Sequence, residues 1–453
     1  MSGNMLEAPE RVLSTLNPDG TRLWMRPKAA FGRWWKRRRV VAWVLMILFN
    51  VIPWLTVNGK PLMLLDVIHR DFVFFGVVFQ PTEVLLLALL LITVFLSIFL
   101  ITALLGRGWC GWACPQTVYL EFLYRPIERL VYGEHGGRAK QDVPMYKRVI
   151  KFGLFFIVSL HLSHTFLAYF IGPEDMFHWT TGSPSDHPAG FAIVYGVAAL
   201  MMFDFGFFRE QMCTLVCPYA RLQSVLLDRD SLIIGYDDQR GEPRHKGKKK
   251  SDTQSGDCID CNLCVAACPT GIDIRDGLQL ECIACTQCID ACDAVMEKIE
   301  RPRGLIRFAS QNTLSGVAKK FWRPRIVIYP LSVAIVLASF LTLLGNRATS
   351  EVVFRRVQSD VPVLLGDGVL QSVMLDLANN SDFERSYTLV VNEPAYSLVT
   401  VLPNIKAYGK RVVQLPIKVP VDAFVNGKYT MTLTVSDDGN LNEVLTKTLF
   451  GHK

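Results

Sequence analysis

Eight of the twelve cysteines in this 453-residue chain fall within residues 258–292 and repeat one spacing. The first run is Cys258-x2-Cys261-x2-Cys264-x3-Cys268-Pro269, and the second is Cys282-x2-Cys285-x2-Cys288-x3-Cys292. Thiolates at this spacing, on a tight loop closing into a helical turn, cap three corners of a cubic [4Fe–4S] cluster. The fourth cysteine of each run usually reaches the other cluster. The spacing therefore predicts one cluster on Cys258, Cys261, Cys264 and Cys292 and a second on Cys282, Cys285, Cys288 and Cys268. Structural zinc is the competing reading, but zinc motifs bring paired CxxC units rather than two successive CxxCxxCxxxC runs. A disulfide framework is disfavoured on the reducing side of a membrane, where the topology below puts this segment. The pattern predicts a bacterial-type 2[4Fe–4S] ferredoxin module and the transfer of single electrons.

The rest of the chain is apolar: half of its residues are hydrophobic and one fifth are charged, with a positive mean hydropathy. Five stretches approach the roughly 20 residues a helix needs to cross a bilayer: residues 40–57, 84–105, 152–171, 189–208 and 326–344. The first carries Asn50 and Pro53, and the fourth carries Asp204 near its end. The first does not read as a cleavable signal peptide, because nearly forty mostly polar residues precede it and no small-residue cleavage site follows.

Basic residues set the expected orientation. Arg33-Trp34-Trp35-Lys36-Arg37-Arg38-Arg39 precedes the first span as a cytoplasmic anchor. The link between spans two and three holds Arg107, Arg125, Arg129, Arg138, Lys140, Lys147 and Arg148, and the link between spans four and five holds the ferredoxin runs and Lys248-Lys249-Lys250. Between spans one and two the only basic residues are Lys60 and Arg70; between spans three and four there are none, with Glu174, Asp175 and Asp186 instead. All three basic regions are expected in the cytoplasm and the C-terminal tail outside, in a bacterial periplasm. The net charge of +7 then reflects this bias and anionic lipid, and needs no nucleic-acid partner.

The tail reads as strands. Val369, Gln371, Val373, Leu375 and Leu377 alternate with Leu370, Ser372, Met374 and Asp376, and residues 387–391, 411–419, 428–435 and 444–450 are further β-rich runs. Asn379-Asn380-Ser381 and Asp437-Asp438-Gly439-Asn440 are turn signals between them. The pattern predicts an immunoglobulin-like sandwich without the inter-sheet disulfide, since the tail has no cysteine; its simplest role is a cap or docking surface.

The remaining cysteines form two matching pairs, Cys110-x3-Cys114-Pro115 and Cys213-x3-Cys217-Pro218, each directly after an even-numbered span. Cysteines at i and i+4 share a helix face, so two such helices side by side bring four thiols together, and each proline tends to end its helix near the second cysteine. An isolated cysteine is often a small buried hydrophobe; two pairs at one depth point to redox or metal chemistry instead. Soft thiolates select Cu(I), and a dithiol/disulfide couple is the alternative. His161 and His164 sit three apart inside span three. Intramembrane ionisable residues are functional candidates, but no other span offers a histidine for a haem, and polar packing between helices is the leading reading, with copper or quinone contact behind it. His178 and His187 in the outer loop are candidates for a metal path, and Asp204 for a pair with Arg209 or Arg221.

These features together resemble the cytochrome c oxidase accessory proteins CcoG, also called FixG or RdxA. The resemblance covers the chain after about Pro27: spans followed by CxxxCP, a cytoplasmic two-cluster ferredoxin, a fifth span and a β-sandwich tail. It implies a membrane polyferredoxin of the bacterial inner membrane that assists assembly of cbb3-type cytochrome c oxidase by reducing Cu(II) to Cu(I), a cupric reductase activity. Its implied partners are the lipid bilayer, the oxidase assembly machinery, copper-delivery proteins and an unidentified electron donor. Carried over, Cys258 to Cys292 bind two clusters, and Cys110, Cys114, Cys213 and Cys217 are the catalytic and copper-contact candidates. The second run departs from the pattern by ending Cys292-Asp293 without proline, and only thirteen residues separate Cys268 from Cys282. The expected architecture is a basic N-terminus (1–39), a four-span membrane domain (40–226), the ferredoxin module (227–325), a fifth transmembrane helix (326–344) and the periplasmic domain (345–453). The competing readings are an electron-transfer subunit of a quinol-oxidising respiratory complex, weakened by the absence of a CxxCH haem site, and a scaffold with structural clusters.

Overall fold

The computed structural model describes residues 21, 24, 26–57, 59–68, 71–79, 83–133, 143–246, 255–317, 322–347, 350–355, 363–366, 368–379, 381, 383–393, 396–406, 409–438 and 442–450. Residues 1–20, Arg70, Arg138, Lys140, the Lys248-Lys249-Lys250 run, Asn380 and Gly439-Asn440 lie outside the described residues, as does the side chain of Arg221. The chain divides into two compact units, Met1–Phe340 and Leu341–Lys453.

Five long helices belong to the membrane part: α1 (Arg33–Val51), α2 (Val84–Leu105), α3 (Met145–Ile171), α4 (Pro188–Phe203) and, after the ferredoxin module, α6 (Pro324–Gly345). Four are long and apolar enough to cross a membrane: α2, α3, α4 with its π-helical extension to Phe208, and α6. The expected span over 40–57 takes another form. α1 starts earlier, inside the basic run, and stops at Val51; Pro53 then turns the chain through a 3-10 segment, Ile52–Trp54, into the extended pair Thr56–Val57. Its apolar part, 40–51, covers about 18 Å at 1.5 Å per residue, against about 30 Å of hydrocarbon. α1 nevertheless runs alongside α3, where the Tyr169 hydroxyl donates to the Phe49 carbonyl at 2.8 Å. Between α1 and α2 the chain forms a small antiparallel sheet of Met63–Asp66, Asp71–Phe74 and Val77–Phe79.

The ferredoxin module is framed by Ile233–Tyr236 paired antiparallel with Ile306–Ala309. Helix α5 (Gln287–Lys298) carries the last two cysteines of the second run, Cys288 and Cys292. Its core gathers Ile234, Ile272, Ile274, Ile289, Met296, Leu305 and Ile306 around the cysteines, five of which belong to the same buried cluster, with Cys292 packed against it. The two runs repeat one backbone pattern: Asp260 and Asn262 in the first and Ala284 and Thr286 in the second all take positive φ, between 50° and 64°. Left-handed non-glycine residues cost of order 1–3 kcal/mol each and persist where surrounding structure over-determines them. Here they fold each run back on itself, burying six of the eight cysteines and leaving Cys261 exposed and Cys292 half-buried.

The second unit is a sandwich of two four-stranded antiparallel sheets. One contains β1 (Ser350–Arg355), β2 (Val363–Leu365), β3 (Gly368–Asn379) and β6 (Lys410–Pro420), with β3 pairing each of the others. The other has the order β5-β4-β7-β8, from Tyr396–Ile405, Arg385–Glu393, Lys428–Asp437 and Asn442–Phe450. Val369, Gln371, Val373, Leu375 and Leu377 point inward as the alternation requires, and Leu375, Tyr387, Leu389, Leu433, Val435 and Leu449 are fully buried. Val373, Leu375 and Leu415 share one core with Tyr387, Leu433 and Leu449 across the two sheets. β1, β2 and β5 were not expected from the alternation.

Candidate functional site

The membrane helices present their ends to the ferredoxin loops through a small set of buried groups. At the start of α1, the backbone N–H groups of Trp34 and Trp35 donate to the two Asp290 carboxylate oxygens at 3.1 and 2.7 Å. A carboxylate from α5 thus satisfies the free amides of another helix's first turn and sits at the positive end of its dipole. Gly32 is required for this approach, because a Cβ there would lie 2.2 Å from Asp290 Cγ. One turn on, buried Arg38 donates to the carbonyls of Gly111 at 2.9 Å and Cys285 at 2.7 Å. Buried Arg107 donates to the carbonyls of Leu280 and Cys282, the latter at 2.8 Å. Gly111 itself packs on backbone: a Cβ would meet Ala284 O at 2.5 Å and Ile283 O at 2.6 Å. The loop carrying Cys110 and Cys114 is seated directly on the loop carrying Cys282 and Cys285.

The two CxxxCP segments are a structural repeat. α2 ends at Gly106 (φ 59°, ψ −128°), and the extension of α4 ends at Arg209 (φ 52°, ψ −119°), each four residues before the first cysteine of its pair. The amides of Cys114 and Cys217 then close wide turns onto Trp109 O (2.9 Å) and Met212 O (2.8 Å), five residues back in both cases. Cys114 (φ −62°, ψ 126°) and Cys217 (φ −65°, ψ 112°) are both extended, and each is followed by a proline that opens a helix, as proline at the first helical position favours. Arg209 adopts with a side chain what Gly106 does without one, a strained backbone. The expectation that Cys110 and Cys114 share one continuous helix face is corrected by these turns, which break the helix before the second cysteine.

The four thiols come together. Cys110 has Cys114, Cys217 and Cys282 as electrostatic neighbours, and Cys213 has Cys114, Cys110 and Cys217. Burial, reinforced by Cys114, pushes the Cys110 thiol up to about 12 against the pull of Arg107. Burial and the facing thiols likewise raise Cys213. The N–H groups of Gln116 and Thr117 donate to the Cys114 sulfur, and the Cys110 thiol donates to Gln223 Oε1 at 3.2 Å. In the ferredoxin module Cys292 has Cys264, Cys261 and Cys258 as neighbours, and Cys268 faces Cys282 and Cys285. All twelve cysteines are free thiols. Among the described residues no three His, Cys, Asp or Glu side chains are grouped so as to hold a single metal ion.

A buried charge network ties the helices that follow the two repeats. Arg125 bridges Glu121 and Glu210, Arg129 pairs with Glu121 at 3.2 Å, and Arg209 pairs with Glu128 at 3.1 Å. Gln287 of α5 donates to Glu121 at 3.4 Å. Burial would raise the Glu121 carboxyl, but Arg125, Arg129 and Arg38 outweigh it and hold it below the usual range. The expected pairing of Asp204 with Arg209 is not made: Asp204 accepts from Gln116 at 3.0 Å. Signals for this network were present in Glu121, Arg125 and Glu128, spaced to share a helix face, but nothing in the spacing identified Glu210 as the partner.

The histidines sit apart from this site. His161 Nε2 bonds Asn50 Oδ1 at 2.8 Å and His164 Nδ1 bonds its own Leu160 carbonyl at 2.7 Å. His187 stacks on Trp179 at 4.9 Å, with His178 edge-on at 6.2 Å.

Comparison with known proteins fits this geometry. A family described as 4Fe-4S dicluster domain matches residues 208–311, and one described as 4Fe-4S binding domain matches residues 87–132. Protein RdxA of Cereibacter sphaeroides is 32% identical over 377 residues, 78% of this chain and 79% of RdxA. Protein RdxB of the same organism is 32% identical over 398 residues, 82% of each chain. The chain belongs to the FixG/RdxA family. Nitrogen fixation protein FixG of Rhizobium meliloti is 38% identical over 307 residues, 64% of this chain; the match spans 57% of FixG. With four apolar helices long enough to cross a membrane and two 4Fe-4S domain matches, this chain is a membrane iron–sulfur protein suited to electron transfer.

Proposed function

We propose that this FixG/RdxA-family protein reduces Cu(II) to Cu(I) at the bacterial inner membrane, in support of cbb3-type cytochrome c oxidase assembly. The observation that carries the electron path is the seating of the Cys110–Cys114 loop on the Cys282–Cys285 loop through Gly111, Arg38 and Arg107. Cys258, Cys261, Cys264 and Cys292 would hold one [4Fe–4S] cluster and Cys282, Cys285, Cys288 and Cys268 the other; both sets fit, each being four thiols drawn from both runs, the second set buried and the first exposed at Cys261. When bound, such clusters accept and release electrons one at a time. The chain's residues exclude water from them, donate N–H groups to their sulfurs and place Arg107 beside Cys110 and the Cys282 carbonyl. The four CxxxCP thiols mark where electrons leave the module.

α1 would complete a five-span bundle, with the basic run 33–39, the CxxxCP loops and the ferredoxin module in the cytoplasm and an immunoglobulin-like sandwich in the periplasm. Each Cu(II) takes one electron; a membrane quinol, giving two electrons and two protons, would reduce two Cu(II), and a cytoplasmic reductant is the other source. The test is anaerobic Cu(II) reduction by the full-length, chemically reduced protein, read with a Cu(I)-specific chelator. Cys268→Ser and Cys292→Ser, each removing one cluster, should abolish it. Cu(I) production at the wild-type rate in either variant refutes the reading. Oxidase activity that stays normal in low copper when the protein is lost refutes the assembly role.

A further inference from the structure

The four CxxxCP cysteines resemble cluster ligands more closely than a copper site. The motif occurs three times in the chain, because Cys264-x3-Cys268-Pro269 inside the first ferredoxin run has the same form. Its sulfur hydrogen bonds also match. Cys268 accepts from the Ile272 and Thr270 amides, Cys282 from that of Ala284 and Cys285 from that of Gln287, so each has a donor two residues on. Cys114 accepts from Gln116, again two residues on. Amide hydrogen bonds to the sulfurs are among the interactions that stabilise an iron–sulfur cluster and set its potential.

The ligand count leads to the same place. The region matching the 4Fe-4S dicluster domain contains ten cysteines, two more than two clusters need: Cys213 and Cys217. The region matching the 4Fe-4S binding domain contains only two, Cys110 and Cys114. A [4Fe–4S] cluster takes four thiolates, and the structure brings these two incomplete pairs together from the two halves of the repeat.

We infer that Cys110, Cys114, Cys213 and Cys217 together hold a third [4Fe–4S] cluster, bound between the two CxxxCP repeats at the membrane end of the ferredoxin module. Arg107 offsets its negative charge, and the Gln223 side chain, which also donates to Gly106 O at 3.1 Å, lies against Cys110. The site adjoins Cys282, so it extends the ferredoxin pair into a row of three. The inference rests only on the iron–sulfur part of the proposed function: copper reduction can fail while it stands, and it can fail while the two ferredoxin clusters stand.

The test is iron and acid-labile sulfide per chain in the full-length protein, purified anaerobically in detergent, with a reductive titration of the same sample. The expected result is about twelve iron and about twelve sulfide, and about three electrons taken up. The double variant Cys114→Ser/Cys217→Ser should fall to about eight iron while keeping the low-temperature EPR signals of the reduced ferredoxin pair. Wild-type protein with about eight iron and two electrons overturns the inference whether or not the variant folds. So does a double variant that retains twelve iron, or wild-type protein in which copper, lost from the variant, replaces the third set of irons.

Discussion

Replacing Gly111 by alanine tests how tightly the membrane end grips the ferredoxin module. The added Cβ would lie 2.5 Å from Ala284 O and 2.6 Å from Ile283 O, and ordinary contact begins at 3.4 Å, so the two loops must part by 0.9 Å. Both obstructing atoms are backbone and neither can rotate away. The shift also pulls Gly111 O from Arg38. Overpacking of this kind costs about 1–3 kcal/mol; at about 2 kcal/mol the local opening equilibrium rises about 30-fold. The assay is hydrogen–deuterium exchange in detergent, read at the Ala113 and Cys114 amides that close onto Trp109. Their protection should fall about 30-fold, with peptides of the C-terminal sandwich unchanged. Gly153, in α3, has nothing within 4 Å of its would-be Cβ, and Gly153→Ala should leave exchange at residues 109–114 as in the wild type. Equal protection in wild type and Gly111→Ala would show that the two loops do not bear on each other.

Three further outcomes are expected. Glu121→Gln, by breaking a buried pair, should destabilise the protein by about 3–5 kcal/mol at neutral pH; because Arg125, Arg129 and Arg38 depress the folded Glu121 carboxyl, its stabilisation is full above the ordinary glutamate value of 4.5 and drains as pH falls below it toward the folded value. Denaturant midpoints at pH 7 and pH 4 should therefore differ less in the variant than in wild type. Asp290→Ala removes the acceptor for two α1 amides and should cost about 0.5–2 kcal/mol, read as faster exchange at Trp34 and Trp35 alone. Arg107→Gln removes a buried positive charge beside Cys110 and Cys282, and redox titration should show a potential moved to more negative values.

The sequence carried the local patterns and not their assembly. Cysteine spacing predicted both runs because cluster geometry leaves few alternatives, and period-two alternation predicted β3 and its inward residues because one face of that strand is buried. β1 and β5 escaped because Ser350–Arg355 and Tyr396–Ile405 mix polar and apolar residues with no clean alternation. The CxxxCP pairs were visible, but i, i+4 spacing presumed an unbroken helix, and the turns at Cys114 and Cys217 follow positive-φ breaks at Gly106 and Arg209, the second a strained side-chain residue that no composition reveals. Span one was drawn too far because hydropathy averages over Pro53. The Asp290–α1 contact joins residues more than 250 positions apart, beyond the reach of any local signal.

That last contact has a consequence for how the protein is made. The amides of Trp34 and Trp35 leave the ribosome long before Asp290 does; at 5–20 residues per second the interval is about 13–50 s. Throughout it the first turn of α1 lacks its acceptor. Asp290 arrives on α5, inside a cysteine run whose left-handed turns at Ala284 and Thr286 are held by the packed module around them. The membrane end of the bundle can close only on a ferredoxin that has finished folding. A chain whose ferredoxin module has not folded would leave that end open, and so distinguishable to the cell's proteases from a finished one.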